Sequence, residues 1–109
     1  MHVLLLTSET RLRAVAARHM TDASFSARTL AAAMEISYSH LHRRLRTEAN
    51  LTPTQRIRQV RLEEAARLLK AEAGCVSEVA YSVGFRSLSY FAKVFRAHYH
   101  VNPSAYPSG

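Results

Sequence analysis

Val79-Ala80-Tyr81-Ser82-Val83-Gly84-Phe85-Arg86-Ser87-Leu88-Ser89-Tyr90-Phe91-Ala92-Lys93-Val94-Phe95 is the stretch on which the fold turns. Its apolar residues fall into two runs at helical spacing, Val79, Ala80 and Val83, then Phe91 and Phe95. Between them stand Gly84, which can take a left-handed turn, and Ser87, whose hydroxyl can accept from the orphan amides of a new helix. The stretch predicts a short helix, a turn and a longer helix.

The same arrangement occurs upstream. Leu30-Ala31, Met34, Ile36, Leu41 and Leu45 match Val79-Ala80, Val83, Phe85, Phe91 and Phe95 in order, offset by 49 residues and then by 50. The one-residue slip falls at the turn, where insertions are tolerated, so the chain reads as two copies of one helix-turn-helix unit. Two copies do not make a solenoid.

Working outward, Leu12, Val15, Ala16 and His19 lie on one stripe of a first amphipathic helix from Ser8 to about His19. Ser26 caps a second helix, Ala27 to Met34, and Ser37 a third, to about Ala49. Thr52-Pro53-Thr54-Gln55 reads as a capping box with proline at the first helical position, opening a long helix to about Ala71 that Gly74 ends. Its apolar residues Ile57, Val60, Leu62, Ala65, Ala66, Leu68 and Leu69 cover much of the circumference. Ser77 is expected to cap a fifth helix, to about Val83, and Ser87 a sixth, to about Tyr99. A last turn, Ser104 to Tyr106, is expected to pin Tyr106 onto the second lobe.

The expected fold is therefore all-α, two helix-turn-helix subdomains joined by a long linker helix, about seven helices in all. Its segments are 1–24 (lead and first helix), 25–52 (first unit), 53–73 (linker helix) and 74–109 (second unit and C-terminal turn).

Composition narrows the function. Fifteen Lys and Arg against eight Asp and Glu give the 109 residues a formal charge of +7, which favours polyanions without choosing among DNA, RNA and anionic membrane. The one cysteine, Cys75, excludes an internal disulfide and a multi-cysteine zinc site. No stretch approaches the roughly 20 apolar residues of a membrane span. The run Val3 to Leu6 lacks a basic n-region and a cleavage signal, so no signal peptide and a cytoplasmic location are expected.

In each unit the face of the second helix opposite its apolar pair is polar. The first offers Ser39, His40, His42, Arg43, Arg44 and Arg46, the second Arg86, Ser87, Ser89, Tyr90, Lys93 and Arg96. Such mixtures of hydrogen-bonding tips and cations suit base edges and phosphates of double-stranded DNA. A linker helix of roughly 19 residues is about 28 Å long. That would let the two helices lie about one DNA turn, roughly 34 Å, apart.

Plainer readings weigh against other chemistries. His40 and His42 are two apart and point to different helix faces, whereas a helical metal pair normally needs four. His98 and His100 straddle a helix end and read as surface or capping residues. Cys75 has no activating partner in sequence and reads as a packing residue. The arginine-rich stretch could be a mere solvated face, but between Arg43 and Arg61 six arginines meet a single acid, Glu48. Phe85, Phe91 and Phe95 could stack bases as in RNA readers, but their helical spacing makes them core. No phosphate-cradling glycine loop or nucleophile with its base is present, so no enzyme, cofactor or metal is expected.

The residues resemble the DNA-binding domain of AraC/XylS-type transcription regulators over about Phe25 to Tyr106. The carriers are Leu30-Ala31, Ser37 and Leu41; Arg61-Leu62, Ala65 and Leu69; Val79-Ala80, Gly84-Phe85, Ser89-Tyr90-Phe91 and Phe95; and Pro103-Ser104 with Tyr106. Leu41-His42-Arg43 and Val76-Ser77-Glu78-Val79-Ala80-Tyr81 are also similar to output domains of hybrid two-component and response-regulator proteins.

The resemblance implies that the second helix of each unit enters the major groove. Base reading then falls to Ser39, His40, His42, Arg43, Arg86, Ser89, Tyr90 and Lys93, and phosphate contact to Ser37, Tyr38, Arg44, Arg46, Ser87 and Arg96. Arg61 becomes a packing and tethering residue between lobes. The implied partners are double-stranded DNA, RNA polymerase as a candidate, and a sensor or receiver domain that this chain does not contain, with activation ahead of repression. The competing reading is a non-specific polyanion binder for DNA or RNA. Glu35 and His100 stand where the family prefers glycine, Asn50 is a milder departure at such a position, and Pro107 replaces a frequent arginine. A left-handed Glu35 would cost about 1 to 2 kcal/mol if the turn is kept.

Overall fold

The computed structural model describes residues 8–108; the apolar run Val3 to Leu6 lies outside the described residues. Six helices follow in order: α1 Ser8–His19, α2 Ala27–Ala33, α3 Tyr38–Ala49, α4 Pro53–Lys70, α5 Val76–Ser82 and α6 Leu88–Tyr99, then a 3-10 helix Pro103–Ser108. No strand occurs among the described residues. The chain forms two compact units. Of the described residues, the first holds Ser8–His19 with Phe25–Val60, the second Met20–Ser24 with 61–108.

Local chemistry fixes the helix starts. The Ser26 hydroxyl accepts from the Thr29 amide while Thr29 Oγ1 accepts from the Ser26 N–H. Ser37 Oγ accepts from His40 N at 3.0 Å, and Ser87 Oγ from Tyr90 N at 3.1 Å. For α4, Thr52 N donates to Gln55 Oε1 at 2.9 Å and Gln55 N to Thr52 Oγ1 at 3.2 Å, the reciprocal pair that satisfies two orphan amides.

Two expectations about caps fail. α5 starts two residues earlier than Ser77 implied: Cys75 is its N-cap, and Glu78 Oε1 accepts from the Cys75 N–H at 2.9 Å. Cys75 is accordingly exposed, not packed. α4 ends at Lys70, within a residue of the Ala71 expected, but the left-handed residue that follows is Glu72, φ 53°, rather than Gly74, and the Ala73 N–H reaches back to Leu68 O at 3.0 Å. A carbonyl five residues back is satisfied once any residue takes that φ, so no glycine is needed there.

In the first unit α1 packs on α2 and α2 on α3, burying Leu12, Val15, Ala16, Leu30, Ala31, Met34, Leu41 and Leu45 together with Ile57 and Val60 of α4. His19 leaves the stripe expected of it: it is exposed and stacks on Phe25 at 4.9 Å, while Met20 is buried. In the second unit α5 packs on α6 and α6 on the 3-10 helix. Phe91 and Phe95 are 0% exposed, and Tyr106 packs edge-on against Phe95 at 5.3 Å, as the sequence foretold.

The turn repeats atom for atom. Ile36 N donates to Ala31 O at 3.1 Å, and Phe85 N to Ala80 O at 3.0 Å. Glu35 has φ 60° and Gly84 φ 98°, so Glu35 keeps the left-handed geometry without the residue that makes it cheap.

Candidate nucleic-acid interface

Burial of Leu41 and Leu45 fixes the rotation of α3 in the first unit. At about 100° per residue the opposite face must then carry Ser39, Arg43, Arg46 and Thr47. Tyr38, Ser39, His42, Arg43, Arg46 and Thr47 line one open groove along this helix. Ser39, Arg43 and Arg46 are exposed, and His40 and His42 are half-buried on its two flanks. Ser37 sits at the helix start, exposed, its oxygen already accepting the His40 amide.

Arg44 differs from its neighbours. It lies beside the apolar face with Leu12, Met34 and Ile36 and pairs with Glu48 at 3.3 Å, one turn on. An exposed i,i+4 pair is weak, so the pairing costs little to break. Tyr38 is half-buried. Its ring carries the Arg28 guanidinium 4.8 Å from its centroid and meets the His42 ring at 6.0 Å between centroids. Sequence reading missed Arg28, because a contact between two helices leaves no periodic trace.

In the second unit Phe91 and Phe95 play the part of the leucines, and Ser89, Lys93 and Arg96 take the face held by Ser39, Arg43 and Arg46, all three exposed. Tyr90 is 44% exposed and leans on the buried Phe85 at 6.2 Å. Arg86 and Ser87 are exposed in the segment leading into α6.

The arginines between 43 and 61 divide by burial. Arg56 is 4% exposed and hydrogen-bonded through its guanidinium to Gln59, which leaves it no path to a polyanion. Arg61, 8% exposed, donates to Gly84 O at 2.8 Å and Asp22 O at 3.0 Å. Both acceptors belong to the second unit, so the tether expected between lobes closes within one of them. Burial pulls the Arg61 guanidinium below its ordinary value; the Asp22 carboxylate acts the other way and Arg86 adds to the lowering.

Among the described residues no three His, Cys, Asp or Glu side chains gather as a metal site, and no described helix is long and apolar enough to cross a membrane.

Residues 30–108 match the model of a family described as "Helix-turn-helix domain". Over 77 residues the chain is 40% identical to the HTH-type transcriptional regulator MtrA of Neisseria gonorrhoeae, covering 71% of this chain and 26% of that protein. Over 88 residues it is 31% identical to Histidine kinase P4 of Formosa agariphila, covering 81% of this chain and 6% of that one. The chain thus spans about a quarter of the first relative's length and far less of the second's. The solved DNA-binding domain of AdpA, described as a global transcriptional factor in complex with a target DNA, superposes with a TM-score of 0.78 at 33% identity, covering 90% of this chain and 87% of that one. With its repeated unit, its two exposed polar helix faces and a family match over most of its length, the chain belongs to the AraC-type helix-turn-helix family, as a DNA-binding domain of transcription regulators.

Proposed function

We propose that the chain binds double-stranded DNA sequence-specifically, with α3 and α6 each entering a major groove, and the two grooves successive. The observation that carries this is the shared register of the two exposed faces: Ser39 with Ser89, Arg43 with Lys93, Arg46 with Arg96, each opposite a buried apolar pair. Ser39, His40, His42 and Arg43 then read bases in one half of the site, and Arg86, Ser89, Tyr90 and Lys93 in the other. Arg and Lys suit the guanine O6 and N7 acceptors, and the hydroxyls serve as adaptable partners. Ser37, Tyr38, Arg46, Ser87 and Arg96 hold phosphate, joined by Arg44 once it leaves Glu48.

The chain acts in this reading as the output part of a longer regulator, its signal supplied by a sensor or receiver domain and its effect passed to RNA polymerase. The relatives' greater length and the similarity to a histidine kinase support that. No catalytic step is part of it.

Selection of bound duplexes from a random library tests the reading, followed by affinity for the winner against scrambled DNA near physiological salt. Two half-motifs about 10 base pairs apart and a ratio above roughly a thousandfold are expected. Arg43→Ala and Lys93→Ala should then each relax preference in a different half. Affinity set by salt alone, with no enriched motif, would make the chain a non-specific polyanion binder.

A further inference from the structure

We propose that Arg28 is a positioning residue for base choice: it steadies the Tyr38 ring, which in turn steadies the His42 imidazole at the α3 groove. The proposal rests on the reading of α3 as a base reader and adds a residue of α2 to it. Arg28 is the second residue of α2, a helix whose start is fixed by the Ser26 and Thr29 box and which packs on α3. Its Cζ lies 4.8 Å from the Tyr38 centroid, inside the roughly 6 Å range of a cation over a ring face. Tyr38 in turn faces His42 at 6.0 Å between centroids, tilted by 55°, within the range at which rings interact. Both Tyr38 and His42 line the groove; Arg28 does not.

An imidazole on an open helix face samples several rotamers, and each rotamer lost on meeting a base edge subtracts from discrimination. A flanking ring, itself held by a cation over its face, reduces that loss before DNA arrives. The second unit has no such ladder, because the positions equivalent to Arg28, Tyr38 and His42 are Ser77, Leu88 and Ala92. Its exposed ring, Tyr90, rests on the buried Phe85 instead. The two units therefore steady their aromatic tips by different means, and the effect of Arg28 is confined to one half of the site.

The test measures affinity of the whole chain for its selected duplex and for every single-base variant of it, using wild type, Arg28→Ala, Arg28→Lys, Tyr38→Leu, His42→Ala and the Arg28→Ala/His42→Ala double variant. Arg28→Ala should lower discrimination about two- to five-fold, the worth of an exposed cation–ring contact, at the same base pairs as His42→Ala and nowhere else. The double variant should match His42→Ala alone, Arg28→Lys should restore most of the loss, and, should Arg28→Ala fold poorly, Tyr38→Leu should show the same loss of discrimination at the His42 base pairs on top of the uniform weakening expected from its phosphate contact. Uniform weakening on all sequences, with the salt slope reduced by about one, would make Arg28 a phosphate contact and overturn the proposal. Additive losses, or no change at the His42 base pairs, would also overturn it. A wild-type chain that selects no motif would instead sink the underlying reading of α3.

Discussion

Glu35 and Gly84 occupy the same turn in the two units, with φ 60° and 98°. A Cβ built on Gly84 would sit 2.3 Å from Met20 O and 2.8 Å from Arg61 Cζ. Gly84→Ala should therefore destabilise by about 2 to 3 kcal/mol, since neither backbone nor buried guanidinium can yield. Glu35→Gly should do the reverse and stabilise by about 1 kcal/mol, by relieving a left-handed side-chain residue. Urea unfolding of both variants checks the pair of signs. The need for a left-handed residue was legible from Gly84 and from its misfit with Glu35. What a Cβ would strike was not, because Met20 and Arg61 are far away in sequence. Glu78 gives a residue-scale effect of pH. Its carboxylate, accepting the Cys75 N–H, is held below the usual carboxylate range. The folded value is depressed, so its stabilisation is present at neutral pH and lost as pH falls through that value. Glu78→Gln keeps a capping side chain without that charge, and the stability gap between it and wild type should narrow on acidification from pH 7 to pH 3.

At the scale of elements, helix starts written by serine and threonine hydroxyls were readable because the cap and its partner lie within three residues. Ser26, Ser37, Thr52 and Ser87 all cap as expected. α5 was misplaced because a cysteine carries no strong capping signal; there the partner, Glu78, does the work by reaching back to the backbone. Thr52→Ala should cost about 1 kcal/mol in chemical denaturation through loss of the α4 box. Phe91→Ala, at a residue with no exposure in α6, should cost about 3 to 5 kcal/mol. A Phe91 change no worse than the Thr52 change would mean that the aromatic core of the second unit is not what holds α6 in place. The polar faces of α3 and α6 were legible from periodicity alone, whereas the bond of Arg44 to Glu48 and the ladder through Arg28 needed coordinates.

For the molecule as a whole, the charge of +7 predicts steep salt dependence, but not every cation contributes. Arg46→Ala and Arg96→Ala should each lower the slope of log affinity against log salt by about one. Arg56→Ala, at a buried site, should leave it unchanged; a fluorescence titration over a range of salt concentrations separates the three. The repeat revealed two units at once. Their membership was less evident, because Met20–Ser24 follows α1 in the chain yet belongs with the residues from Arg61 onward. That has a practical corollary for anyone trimming the protein. A fragment cut at the borders of the matched family, residues 30–108, removes the Asp22 carbonyl to which the Arg61 guanidinium donates, and with it the backbone of Met20 against the Gly84 turn. A piece that keeps this hydrogen bond, which spans 39 residues, has to begin well upstream of where family likeness begins.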